Sequence, residues 1–278
     1  MFSDRIAVSI FLIPLALFVV VSGGLIYLLG ILLIYTLAAL EYVQLFRHGG
    51  YRPALPLVVG GVLAVVVAQQ VPALNPRGLV FGLIILAALA WHQIDYERGA
   101  ATSGADFVVT LGGIFYLGWL GTYFIALRNL PPDGLWWLVA AVTAVWLADT
   151  GAYSIGRRFG RHAMAPRLSP KKTWEGFAGG VLGGALGAGV LSVFWHIGAA
   201  YANPQTALTW QSGALLGALI GVLSPLGDLG VSMFKRQIGV KDSGDLIAGH
   251  GGALDRMDSW LIAVPVGYYF ALVLQAMR

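Results

Sequence analysis

Four acidic side chains in the second half of the chain are candidate catalysts or metal ligands, two of them inside apolar spans and two at the end of a charged segment that leads into the last span. Asp149 lies in Trp146-Leu147-Ala148-Asp149-Thr150-Gly151 and Asp228 in Ser224-Pro225-Leu226-Gly227-Asp228. Asp255 and Asp258 lie in Ala253-Leu254-Asp255-Arg256-Met257-Asp258-Ser259. A carboxylate inside an apolar span costs about 2.5–3.5 kcal/mol on insertion scales, so Asp149 and Asp228, like Glu41, Asp106 and Glu175 elsewhere in the chain, each need a partner or a task. The spacing of Asp255 and Asp258 predicts one shared helix face. They are also expected to open a helix, where negative charge is favoured. With Asp228 they form an oxygen-donor set suited to Mg²⁺, which takes carboxylates together with waters and substrate phosphates. Lys235, Arg236, Lys241 and Arg256 are interleaved with these acids. Such cations oppose a bare metal site but suit a polyphosphate that arrives with its metal. The Gly251-Gly252 turn after His250 can offer backbone N–H groups to a phosphate. Asp-x-x-Asp alone carries little, because many helix starts hold two acids.

A second cluster reads Ser169-Pro170-Lys171-Lys172-Thr173-Trp174-Glu175-Gly176. It sets two ammonium groups and two hydroxyls at the membrane entry of an apolar segment, where an anionic head group would lie. Arg157, Arg158 and Arg161 just before it read as an ordinary basic loop. The chain has neither a Walker P-loop nor a Rossmann glycine fingerprint. Phosphates bound here would be held by Lys, Arg and metal. Two further buried-position acids, Glu41 and Asp106, fall near predicted span ends, where snorkelling or a local hydrogen bond is expected to satisfy them.

The elements that must position these groups follow from composition. Of 278 residues 58% are apolar and 11% charged, against about 25% charged in soluble domains, and the mean hydropathy is +0.78. So few charges cannot coat a soluble fold of this size. With about 20 apolar residues needed per crossing, nine spans are predicted, near 6–22, 24–46, 54–72, 78–96, 105–127, 134–156, 176–199, 208–234 and 259–277. The fold class is therefore all-α, a polytopic integral membrane protein. The first span runs almost directly into the second without a clear cleavage site, so it reads as half of a hairpin and not as a signal peptide.

Placing the N-terminus in the cytoplasm puts 14 of the 17 basic residues on the cytoplasmic side and leaves Arg77, Arg128 and Arg278 outside. That asymmetry predicts a cytoplasmic N-terminus and an external C-terminus. It also accounts for the net charge of +4 without invoking nucleic acid. The chain has no cysteine, which excludes disulfides and thiolate metal sites. Residues 1–140 read as transmembrane scaffold and oligomer surface, and residues 141–278 as the catalytic region. Gly176, Gly179, Gly180, Gly183, Gly184 and Gly187 predict close helix approach, either around a buried site or at a dimer seam.

The run Gly227-Asp228-Leu229-Gly230-Val231-Ser232-Met233-Phe234-Lys235-Arg236, continuing through Lys241-Asp242-Ser243-Gly244 to Gly249-His250-Gly251-Gly252-Ala253-Leu254-Asp255-Arg256-Met257-Asp258-Ser259, closely resembles the signature of the phosphatidate cytidylyltransferases, the CDP-diacylglycerol synthases. Asp149-Thr150-Gly151-Ala152-Tyr153 and the Ser169–Gly176 run are similar to further blocks of that family. Together they cover residues 149–259 in order; the first 140 residues carry no matching motif. One departure is Ala248, where the family commonly has Pro. The resemblance implies that CTP and phosphatidic acid give CDP-diacylglycerol and pyrophosphate, with one or two Mg²⁺ ions as cofactor. It implies metal ligands at Asp228 and Asp255, with Asp258 and Asp149 as helpers. Lys235, Arg236 and His250 join the acids as catalytic residues, His250 as a hydrogen-bond partner to phosphate or the metal shell. Ser169, Lys171, Lys172, Thr173, Lys241, Gly251, Gly252 and Arg256 are implied to bind substrate. A homodimer in a bacterial inner membrane is the expected setting.

Two alternatives remain open on the residues. One is a cytidylyltransferase for another membrane lipid phosphate, an ether lipid or a polyprenyl phosphate. The other is a secondary transporter, since broken helices and membrane acids mark those too. Against the transporter, the halves lack paired short segments and the basic residues crowd one face.

Overall fold

The computed structural model describes residues 14–71, 78–244 and 252–277. Among them the chain is helical apart from one two-stranded hairpin. Among the described residues seven helical segments are long and apolar enough to cross a membrane: Gly24–His48, Leu79–Glu97, Ser103–Arg128, Gly134–Phe159, Trp174–Ala202, Trp210–Ile238, which a turn interrupts at Ser224, and Leu254–Ala276, which a turn interrupts at residues 258 and 259. This is an all-α integral membrane protein. The count differs from the expected nine for two reasons. The predicted span 6–22 falls mostly on residues outside those described. The helix on the third predicted span, Leu55–Gln70, has 16 residues, about 24 Å at 1.5 Å per residue, against a hydrocarbon core of about 30 Å.

The Cα framework divides into two compact units, Met1–Ile125 with Phe234–Arg256, and Ala126–Met233 with Met257–Arg278. The first contains α1 (Gly24–His48), α2 (Leu55–Gln70), α3 (Leu79–Glu97), α4 (Ser103–Gly113), a π-helical stretch over Ile114–Trp119, and most of α5 (Leu120–Arg128). Its core is formed by Tyr27, Tyr35, Val58, Val62, Ile114 and Leu117. The Tyr27 hydroxyl donates to the Phe124 carbonyl at 2.9 Å, so the buried phenol keeps its bond. Asp106 accepts from the Arg52 amide at 2.7 Å and the Thr102 hydroxyl at 2.8 Å, satisfying a carboxylate that is otherwise buried. In α3 only 11% of the apolar window is buried; its leucines face the lipid.

The second unit contains α6 (Gly134–Phe159), the hairpin β1 (Ala163–Ala165) and β2 (Ser169–Thr173), α7 (Trp174–Ala202), α8 (Trp210–Leu223), and most of α9 (Pro225–Ile238). After the four-residue α10 (Leu254–Met257), α11 (Trp260–Ala276) completes it. The glycines of α7 face partners in the same chain. A Cβ on Gly151 of α6 would meet the Gly183 Cα at 2.9 Å, and one on Gly221 of α8 would meet the Val181 Cα at 2.8 Å. Gly184 and Gly217 meet backbone to backbone in the same way. Of the two readings for this stripe, the structure supplies the intrachain one. The opposite face of α7 exposes Leu182, Leu186, Val190 and Phe194, side chains that belong in lipid.

Two local features, the hairpin and the turn at Asp258, depart from sequence expectation, while the break beside Pro225 is the one that a Pro within an apolar run leads one to expect. The predicted loop over 157–175 contains the hairpin, with Ala163 opposite Thr173 and Ala165 opposite Ser169. The predicted span 208–234 is broken at Ser224, and α9 starts on Pro225, which lacks the N–H that a first turn leaves unpaired anyway. Asp255 and Asp258 do not share one helix: α10 ends at Met257, Asp258 lies in a turn, and the next helix starts at Trp260. The cause is a second helix start, in which the Ser259 carbonyl already accepts from the Ala263 amide at 3.0 Å.

Candidate active site

In the second unit three elements converge on Asp228. The carboxylate sits in the first turn of α9, directly after the broken turn at Ser224. Strand β2 delivers Lys172, whose ammonium forms an ion pair with it. Helix α6 brings Asp149 into electrostatic reach of both Lys172 and Asp228. The close α6–α7 crossing at Gly151 and Gly183 fixes that approach, two residues beyond Asp149. The Asp258 turn also comes close, because Gly227 packs against its carbonyl oxygen. The Asp258 carboxylate accepts the Ser259 amide at 2.5 Å.

The hairpin that carries Lys172 is pinned at both ends. Thr173 caps α7, its hydroxyl accepting from the Gly176 amide at 3.1 Å, a bond typical of Ser and Thr at helix starts. Glu175, in the first turn, accepts the Arg161 amide at 3.0 Å and the His162 amide at 3.2 Å, and meets the His162 ring at 2.5 Å. The acid that the sequence places at the entry of this span therefore ties the hairpin down. Ser169 is half-buried and Lys171 exposed. Adjacent strand residues point to opposite faces, which separates Lys171 from Lys172.

The first unit holds a second Lys–Asp pair. Lys235 donates to Asp255 at 2.6 Å, and the Ser243 amide donates to the other Asp255 oxygen at 3.0 Å. Arg236 reaches the Val240 carbonyl at 3.4 Å. Lys241 and Arg256 are exposed, and Gly252 is buried. His250 and Gly251 lie outside the described residues. One of the acids expected to be satisfied near a span end enters here: Glu41 is fully buried and accepts from the Ala253 amide at 2.8 Å and the Leu254 amide at 2.9 Å. Its only sequence signal was the cost of a carboxylate within an apolar helix.

Among the described residues no three acidic or imidazole groups gather into a metal cage. The donor set nevertheless fits Mg²⁺, which is usually held by one or two carboxylates, waters and substrate phosphates and not by an all-protein cage. Each Lys–Asp pair sets an ammonium that can meet a phosphate beside a carboxylate that can meet its cation. In the Lys172–Asp228 pair the side chains remain 28% and 39% exposed. Such a pair contributes about 0–1 kcal/mol and opens at little cost when both partners are offered better ones.

A family model described as the cytidylyltransferase family matches residues 3–274. The phosphatidate cytidylyltransferase of Synechocystis sp. is 36% identical over 300 residues, covering 98% of this chain and 97% of the relative. That of Pseudomonas aeruginosa is 35% identical over 288 residues, covering 99% and 98%. The Bacillus subtilis enzyme of the same name is 40% identical over 161 residues, covering 58% and 56%.

Proposed function

The chain belongs to the cytidylyltransferase family, and from that premise we propose that it transfers CMP from CTP to phosphatidic acid, giving CDP-diacylglycerol and pyrophosphate. The observation that carries this reading is the Lys172–Asp228 ion pair. It joins two signature blocks that are far apart in the chain and have no need of each other in a simple membrane scaffold.

An oxygen of the lipid phosphate attacks the α-phosphorus of CTP. The bond from that phosphorus to the bridging oxygen breaks, and pyrophosphate leaves with the electron pair. The attacking phosphate is already an anion near neutral pH, so no strong general base is needed. Phosphoryl-type transfer depends chiefly on positioning and charge neutralisation. Lys172 and Lys235 supply positive charge by turning from their carboxylates to phosphate oxygens. Lys171, Ser169, Lys241 and Arg256 add contacts to the polyphosphate and the lipid head group, and His250 a hydrogen bond. Asp228, Asp258 and Asp149, joined on the strength of the signature by Asp255, would hold Mg²⁺. When bound, that ion neutralises charge on the phosphate oxygens.

The same reading includes nine spans with a cytoplasmic N-terminus and an external C-terminus, supported by 14 of 17 basic residues falling on one side. It includes residence in a bacterial inner membrane. It also takes residues 141–278 as the catalytic region and residues 1–140 as scaffold and as the surface of a homodimer. The purified chain in detergent, given radiolabelled CTP, phosphatidic acid and Mg²⁺, should form a labelled lipid and release pyrophosphate. Transfer only to an ether-lipid or polyprenyl phosphate would reassign the acceptor. No pyrophosphate with any lipid phosphate would overturn the reading.

A further inference from the structure

Glu41 is the one acidic residue of α1 and is 0% exposed. Its partners lie more than two hundred residues away in sequence. One carboxylate oxygen accepts the Ala253 amide at 2.8 Å. The other accepts the Leu254 amide at 2.9 Å and the Ser243 hydroxyl at 3.3 Å. Two glycines of the signature make room for it. A Cβ on Gly244 would meet the Glu41 Cγ at 3.1 Å, and one on Gly252 would overlap the Glu41 carboxylate and the Ser243 hydroxyl. The segment that Glu41 grips is the one that presents Asp255. Ser243 serves both acids, with its hydroxyl on Glu41 and its amide on Asp255 at 3.0 Å.

We infer that Glu41 is a positioning residue for the reaction: it clasps the Ser243 hydroxyl and the Ala253 and Leu254 amides and thereby fixes where Asp255 and its partner Lys235 stand. The inference rests on the role proposed above for Asp255. A buried carboxylate that meets, among the described residues, backbone N–H and hydroxyl donors is strongly held, because leaving those donors unmade costs more than the bonds contribute. Gln is nearly isosteric but replaces one acceptor oxygen with an NH₂ group, which would face an amide donor. Asp keeps the charge but is one methylene short of its partners. Outer groups that orient ligands typically cost 10–100-fold in metal affinity or activity when altered.

The test combines amide exchange with kinetics on the full-length protein in detergent. In the wild type, peptides containing the Ala253 and Leu254 amides should exchange slowly. Glu41→Gln should speed that exchange, lower kcat roughly 10–100-fold and raise the Mg²⁺ concentration needed for half-maximal rate. The unfolding midpoint should drop, because a buried donor is left unmade, but folded protein should remain for assay, and the KM for phosphatidic acid should stay near wild type. Glu41→Asp should fall between. Wild-type kcat in Glu41→Gln overturns the inference, as does a loss of kcat that merely parallels loss of folded protein. If Glu41→Gln does not fold, unprotected exchange at residues 253 and 254 in the wild type overturns it instead. The exchange measurement needs no turnover, so failure of the clasp and failure of the proposed reaction are read separately.

Discussion

Lys172, on the second strand of the hairpin, closes an ion pair on Asp228 in the first turn of α9. The pair makes the two lysines of the Ser169–Gly176 run unequal. Lys172→Ala removes the cation that meets Asp228 and should lower kcat/KM on the order of 10–100-fold. Lys171, exposed on the opposite strand face, should affect mainly KM when replaced by Ala, by only a few-fold. Its effect should shrink as salt rises, since salt screens exposed phosphate contacts. Steady-state kinetics at two ionic strengths separate the two variants. Equal losses in both would mean that the hairpin acts only as a basic patch.

Asp228→Asn and Asp255→Asn keep side-chain size and hydrogen bonding but remove the charge with which each is proposed to hold Mg²⁺. Each variant should insert and fold yet lose most turnover, with partial recovery at raised Mg²⁺. The double variant should be scarcely worse than either single one, because residues acting as a unit are not additive. Near-normal turnover of both single variants at low Mg²⁺ would move the metal site towards Asp149.

The glycine crossing can be tested by adding a methyl group. Gly184→Ala would push a Cβ into the Gly217 backbone, and overpacking of this kind costs about 1–3 kcal/mol. Gly82→Ala in α3 meets nothing within 4 Å and should be neutral or stabilise by up to roughly 1 kcal/mol, the helix preference for Ala over Gly. Thermal unfolding in detergent should rank them in that order, and equal midpoints would show that the close approach is not under constraint.

Topology is accessible because the chain contains no cysteine. Single cysteines at Arg161 and Lys241 should react with an impermeant thiol reagent only when the cytoplasmic face is open to it. Labelling from the outside alone would invert the arrangement.

Much of this architecture is legible from residue types. Apolar runs locate the helices, and the small-residue pattern of α7 announces a backbone-close crossing, since spaced small residues let membrane helices approach closely. The Pro225–Asp228 break is readable because Pro cannot donate a helical bond. What stays hidden depends on long-range closure. Glu41 looks like any acid at a span end until Ser243, Ala253 and Leu254 arrive to bond it. The hairpin is invisible because Ser169–Thr173 has no alternating apolar pattern; its strands exist because Glu175 and Thr173 hold their ends. The apparent helix from Asp255 to Asp258 fails because a three-residue spacing cannot reveal that a second helix begins at Ser259.

Helix α7 presents two surfaces with opposite rules for substitution. Along Leu182, Leu186, Val190 and Phe194 the neighbour is hydrocarbon, and hydrocarbon accepts any apolar shape. Along Gly183 and Gly184 the neighbour is another backbone, and nothing larger than a hydrogen atom fits without a shift. In a saturation library of this one helix, tolerated positions should therefore recur with the helical period, a permissive stripe alternating with an intransigent one. The phase of that alternation, read from growth alone, would report which side of α7 faces its own chain.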